Sequence, residues 1–193
     1  MDYKDDLYYI GQVLGGKSSA FTTLVNRHKD HAYNLAIRIC GNNEEAEEVA
    51  QDAFLKAYRS LDRFRMKSSF STWLYRIVYN TAISHVRTRN IPTMNLDDFP
   101  AVLSDFATDS SSEETEMMEY RKSLVNFALK NLKEDDRALI TLFYYEDLPV
   151  DEIAEITGIG RSNVKTKLFR ARKKMSEIIE KAEKKNIIYN EQR

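Results

Sequence analysis

Apolar residues recur at helical spacing along most of this chain. Phe21, Leu24, Val25, His28, Leu35, Ala36 and Ile39 fall close to one face of a helix. Gly41-Asn42-Asn43 supplies a break and a cap. Beyond it Ala46, Val49, Ala50, Ala53, Phe54, Ala57 and Leu61 repeat with a 3.6-residue period. A third helix, from about Phe70 to Arg89, is expected to bury Phe70, Trp73, Leu74, Ile77, Val78 and Thr81. Residues 90–115 lose the period and carry Pro92, Pro100 and the run Ser110-Ser111-Ser112, the composition of an extended, flexible linker. Helical signal resumes near Glu113 with Leu124, Phe127, Ala128 and Leu132, then Ala138, Leu139, Leu142 and Phe143, and a last helix runs to about Lys185. No convincing period-2 strand occurs. The pattern predicts an all-α fold of two small helical domains, residues 1–90 and 120–193, joined by the segment 91–119.

The most specific local signal lies in the second half. Pro149-Val-Asp-Glu-Ile-Ala-Glu-Ile-Thr-Gly158 reads as a short helix closed by a glycine that can take the left-handed cap conformation. From Arg161 to Lys174 the next helix carries seven basic residues and no acidic one, while Val164, Leu168, Ala171 and Met175 form its apolar stripe. Ile153, Ala154, Ile156, Val164 and Leu168 are the expected shared core of a helix-turn-helix. Ser162, Asn163, Lys165, Thr166 and Arg170 then point outward beside the DNA-binding candidate Arg161, at the helix start where base edges are reached: cations pair with guanine, Asn with adenine, and hydroxyls with bases or phosphates. Lys167 adds to the positive face, and Arg172, Lys173 and Lys174 sit where phosphates are held. A solvated amphipathic helix also carries charge, but here the turn signature and the charge coincide.

Composition changes the picture only through placement. The net charge of −1 comes from 29 basic and 30 acidic side chains, and it hides a segment, residues 90–119, with eight acids and no Lys or Arg. No apolar run is long enough to span a bilayer, and the opening residues lack a basic-then-apolar leader pattern. The single Cys40 excludes an intrachain disulfide and a multi-cysteine metal site, in keeping with a reducing cytoplasm.

The helix beginning at Phe70 has a polar face opposite its buried stripe, formed by Tyr75, Arg76, Tyr79, Asn80, Ile83 and Arg87. Rings that stack on bases beside cations that track phosphates suit single-stranded nucleic acid; tyrosines packed against a neighbouring element are the alternative. Arg63-Phe64-Arg65-Met66-Lys67-Ser68-Ser69, on a loop before it, adds three charges and two hydroxyls. Gly11-Gln-Val-Leu-Gly-Gly16-Lys17-Ser18 satisfies the phosphate-loop pattern letter for letter, yet nothing downstream supplies the parallel α/β sheet it requires, and Val13 and Leu14 fit a helix from about Asp5. His28 and His31, three apart, read as helix-surface histidines without a third metal ligand. Glu44, Glu45, Glu47 and Glu48 read as first-turn acids favoured by the helix dipole. No nucleophile–base–orienter set is found, so an enzyme is not expected, and neither a cofactor nor a small-molecule substrate is.

Three blocks in this order resemble a bacterial RNA polymerase sigma factor of the small extracytoplasmic-function group: Ala20–Val25 with Ala46–Tyr58, Phe70-Ser-Thr-Trp-Leu-Tyr-Arg-Ile-Val-Tyr-Asn80, and Asp151–Glu155 with Val164–Arg172. The resemblance implies that Asp52, Phe54, Leu55 and Tyr58 lie on a helix docking on the polymerase β′ clamp helices. It implies that Arg65 to Ser71, including Lys67, Ser68 and Ser69, capture a flipped base of the melted −10 element, with Asn80 reading a neighbour and Tyr75, Arg76, Tyr79 and Arg87 beside the strand. Lys165, Thr166, Phe169 and Arg170 would face the −35 duplex. The β flap of the polymerase and a membrane-linked anti-sigma factor are further implied partners, without membrane insertion by the chain itself. Gly160 departs from the family's usual Ser before the recognition helix, a slightly weaker cap.

Overall fold

The computed structural model describes the backbone of residues 3–89 and 113–191, and side chains within 5–89 and 117–185. Among the described residues every long element is a helix, and no helix is long and apolar enough to cross a membrane. The first half contains α1 (Tyr3–Leu14), α2 (Ala20–Cys40), α3 (Asn43–Arg59) and α4 (Phe70–Thr88), with a 3-10 turn at Leu61–Arg63. The second half contains α5 (Glu113–Lys130), α6 (Glu134–Tyr144), α7 (Val150–Thr157) and α8 (Arg161–Glu191). Residues 91–112 of the expected linker lie outside the described residues; its remaining seven residues, 113–119, belong to α5. The last helix runs six residues past the expected Lys185.

Local chemistry sets the boundaries. Gly41 takes a left-handed conformation (φ 86°) and its N–H donates to Ile37 O, closing α2. Asn42 Oδ1 then accepts from Glu45 N at 2.8 Å and starts α3. Ser69 does the same for α4, accepting from Thr72 N at 3.0 Å. The amides of Gly15, Gly16 and Lys17 donate to Gly11, Val13 and Gln12 carbonyls. The phosphate-loop look-alike is therefore the C-terminal end of α1 and its turn, with its amides already spent.

Helices α2, α3 and α4 pack together around Leu24, Leu35, Ile39, Val49, Phe70 and Leu74, each nearly or wholly buried, and α1 closes the side with Ile10. In the second half α6, α7 and α8 bury Leu139, Leu142, Ile153, Ile156, Val164 and Leu168. These two sets merge into one continuous cluster, because α4 packs on α7 and α2 on α6. The structure corrects one expectation here: His28 is no surface residue. It is 2% exposed and shares a 2.9 Å hydrogen bond with the buried Asp6 of α1, and its ring meets Phe70 edge-on. Burial holds its pKa below the ordinary value, against the pull of Asp6.

Candidate nucleic-acid interface

The helix-turn-helix is built around Gly158. At φ 74° it ends α7, and its N–H donates to Ala154 O. Gly160 follows, and its carbonyl accepts from Val164 N at 3.0 Å, the first helical bond of α8. Ile153, Ile156, Val164, Leu168 and Ala171 are buried, which turns the other face of α8 outward. Ser162, Asn163, Lys165, Thr166, Arg170 and Lys173 are exposed there, and Lys167 is half-buried. Arg161 is exposed and ion-paired with Asp151 at 2.7 Å. Phe169 stands 62% exposed among the cations. A large apolar ring held in water within a positive field is a surface made for contact.

The loop between Phe64 and Phe70 is pinned at both ends by aromatic packing. Phe64 and Phe70 are buried, their rings meet edge-on at 6.0 Å, and each lies within 6 Å of Trp73. Between these posts Arg65, Met66 and Lys67 are exposed, and Met66 adopts φ 55°, left-handed and unusual for a side chain of its size. Ser68 and Ser69 are half-buried; Ser69 is occupied as the α4 cap. The Phe64 post has only its apolar character between charges as a sequence signal.

The polar face expected on α4 divides in two. Arg76 and Asn80 are exposed. Tyr75, expected opposite the buried stripe, is instead 6% exposed, and Ile83 is buried as well. Tyr75 OH donates to Glu146 Oε2 at 2.6 Å, and Tyr79 OH donates to Asp135 Oδ1 at 3.4 Å. Burial and the adjoining carboxylates raise both phenols, Tyr79 to about 12 and Tyr75 further. Arg87 is exposed and bridges to Asp135 at 3.1 and 3.2 Å. The reason is the second half of the chain, which packs on this side of α4.

On α3, Leu55 and Tyr58 are 53% and 43% exposed, and Asp52 holds Lys56 at 2.7 Å. Phe54 is 9% exposed and belongs to the core. Its place in the apolar stripe of α3 points it inward, so it is corrected out of the exposed docking set. Glu45 departs from the simple dipole reading: it pairs with Arg89 at the end of α4 and lies 3.8 Å from His85.

A sigma-70 region 2 family model matches residues 24–90 and a sigma-70 region 4 model matches residues 124–175. The extracytoplasmic-function sigma factor SigW of Bacillus subtilis is 35% identical over 170 residues, covering 84% of this chain and 90% of that protein. This chain belongs to the sigma-70 family, as a sigma factor of the extracytoplasmic-function type. The sigma-H factor of Pseudomonas aeruginosa is likewise 35% identical to this sigma factor over 185 residues, covering 93% and 94% of the two chains. The fold matches that of CnrH, solved with the cytosolic domain of CnrY, with a TM-score of 0.65 at 23% identity over 90% of this chain and 96% of that one. It also matches the sigma factor RpoE of Bartonella quintana, solved with the anti-sigma factor NepR, with a TM-score of 0.61 at 22% identity over 83% and 96%.

Proposed function

We propose that this sigma factor binds core RNA polymerase and directs it to promoters as a non-catalytic subunit, reading duplex −35 DNA with α8 and the melted −10 strand with the 64–70 loop and α4. One observation carries the reading: a cationic recognition helix and a pinned, charged loop stand in two halves of one chain, each half matching a different sigma region. Residues 1–90 and 120–193 are the two working domains, with 91–119 between them. Ser162, Asn163, Lys165, Thr166, Phe169 and Arg170 reach base edges, while Arg161, Lys167 and Lys173 hold phosphates. Arg65, Lys67, Ser68 and Ser69 frame a flipped base, and Arg76 and Asn80 contact the strand next to it. Tyr75, Tyr79 and Arg87 join them once their present partners let go. Holding a base outside the stack costs roughly a few kcal/mol, which a fitted pocket offsets. Asp52, Leu55 and Tyr58 form the exposed surface for the β′ clamp helices, and the second half meets the β flap.

Both structural relatives named above were solved with a protein partner, one of them named as an anti-sigma factor; an anti-sigma factor is accordingly proposed as this protein's regulator. The site of action is the cytoplasm, where polymerase and DNA meet. The deciding experiment combines the purified protein with core polymerase and genomic DNA and maps transcript 5′ ends. A shared pair of upstream elements at the new starts is expected. Absence of promoter-specific transcripts overturns the reading, and tight sequence-specific duplex binding without polymerase would favour an ordinary regulator.

A further inference from the structure

The core of the first half holds a polar pair at a place where apolar packing would suffice. His28 Nε2 of α2 and Asp6 Oδ2 of α1 lie 2.9 Å apart, with both side chains almost wholly buried. A carboxylate accepts, so Nε2 carries the proton. Asp6 Oδ1 lies 3.1 Å from Arg27 Nε, and Arg27 Nη1 reaches the exposed Asp5 at 3.2 Å. The imidazole also meets the Phe70 ring at a centroid distance of 5.2 Å. Phe70 is wholly buried and is one of the two posts of the 64–70 loop. Helix α1 packs against both flanks of that loop, the 3-10 turn at Leu61–Arg63 before it and α4 after it.

We propose that Asp6 and His28 are positioning residues for the −10 loop: Asp6 fixes the plane of the imidazole, the imidazole backs the ring of Phe70, and Phe70 anchors the loop that frames the flipped base. The inference rests on the reading of the 64–70 loop as the −10 site. Neither residue is among the exposed groups assigned to DNA. Through them α1, a helix with no assigned nucleic-acid contact, takes part in telling one base from another.

Stability alone gives little reason for the pair. Burying a carboxylate with its partner brings small net gain, and well-packed apolar side chains of the same volume commonly do as well. Orientation is what the pair adds. A carboxylate fixes the tautomer and the plane of the imidazole it accepts from, as it does for histidines that hold a metal. A leucine in the same place could change rotamer. The loop has need of a fixed backing, because Met66 holds φ 55°, and a side chain of that size stays in the left-handed region only where its surroundings over-determine it. Arg65, Met66 and Lys67 are themselves exposed, so the restraint comes from the posts. A site that discriminates between ligands must be held to within about 0.5 Å by side chains locked from behind. Phe64 and Trp73 supply part of that support to Phe70, and His28 supplies the part that reaches α1.

The test uses the full-length protein, unaltered and as D6A and D6N, assembled with core polymerase. D6A removes the acceptor of His28, whereas D6N keeps the side-chain shape and offers an amide oxygen in its place. Fluorescence anisotropy reads binding of the single-stranded −10 segment of a promoter mapped as above, with the native base or each of the other three at the flipped position, and separately of its −35 duplex. D6A is expected to bind the native −10 strand about tenfold more weakly, to lose most of its preference for the native base, and to bind the −35 duplex unchanged. In the free protein, emission from Trp73, the sole tryptophan, should shift to the red in D6A as the posts loosen. D6N should restore both the preference and the emission. Unchanged base preference in folded D6A overturns the proposal, and so does an equal loss on strand and duplex, or a D6N variant that restores nothing. Far-UV circular dichroism checks folding. Should D6A not fold, H28Q, which keeps a donor for Asp6 but removes the ring beside Phe70, takes its place and must lose the same preference. If the unaltered protein with core polymerase shows no preference among the four strands, the −10 reading itself falls; a preference there that survives in the variants sinks the positioning role alone.

Discussion

Three side chains show how burial sets chemistry at the scale of the residue. Burial raises the Cys40 thiol to about 11, helped by Glu45, so almost no thiolate exists near neutral pH. Native protein at pH 8 is expected to resist iodoacetamide and to react only on unfolding; labelling followed by mass spectrometry checks this. His28 is held neutral by burial, below its ordinary 6.5. The unfolded chain takes up that proton first, so the contribution of the neutral ring to stability is complete above about 6.5 and drains away as pH falls through it. Urea midpoints measured from pH 7.5 to 5 should decline for the native sequence and flatten in H28Q. Arg137 is the third case: its Nη1 donates to Ile39 O while Nη2 donates to Lys130 O and Leu132 O. One guanidinium thereby satisfies carbonyls at the ends of α2 and α5 that helices leave unpaired.

At the scale of the element, the caps and turns were legible because glycine and asparagine carry backbone meaning directly. Gly158 lies between two apolar runs, where a left-handed cap is wanted, and it stands at φ 74°. G158A should remove about 1 kcal/mol from stability through the strained left-handed backbone, lowering the thermal midpoint by roughly 3 °C in a chain of this size. An unchanged midpoint would mean that the turn rearranges at no cost. The stripes of α2 and α3 were legible for the same reason that they pack: period and burial are one signal. The double use of α4 was hidden. Its periodicity gives an inner stripe and an outer face, but it cannot say that half of the outer face meets another protein surface. Glu146 lies 71 residues from Tyr75 and Glu152 lies 80 from Thr72, and in sequence those acids look like ordinary solvated charges. The burial of His28 is not legible in the sequence because its buried partner, Asp6, belongs to a helix 22 residues earlier.

For the whole molecule, two helical groups were readable from the gap in periodicity at residues 90–115, whereas their mutual packing was not. A shared core makes a prediction of its own. Trp73 is the sole tryptophan and reports on the first half; Leu139, 2% exposed, belongs to the second. L139A costs roughly 2–5 kcal/mol by leaving a cavity. The urea midpoint read from Trp73 fluorescence should fall along with that read from circular dichroism, and the size of the fall measures how strongly the seam couples the halves. A Trp73 transition that does not move would show the two groups unfolding independently.

The exposed ring of Phe169 narrows what the proposed −35 surface can recognise. A phenylalanine offers a base pair no hydrogen bond, so in a major groove it can distinguish thymine only by the C5 methyl group. The promoter position beneath it should therefore be a thymine whose identity rests on one carbon atom. Replacing that thymine with deoxyuridine leaves every hydrogen bond of the pair intact and removes about 0.8 kcal/mol, close to fourfold in affinity. In F169A the same replacement should make no difference, and the two duplexes should bind alike.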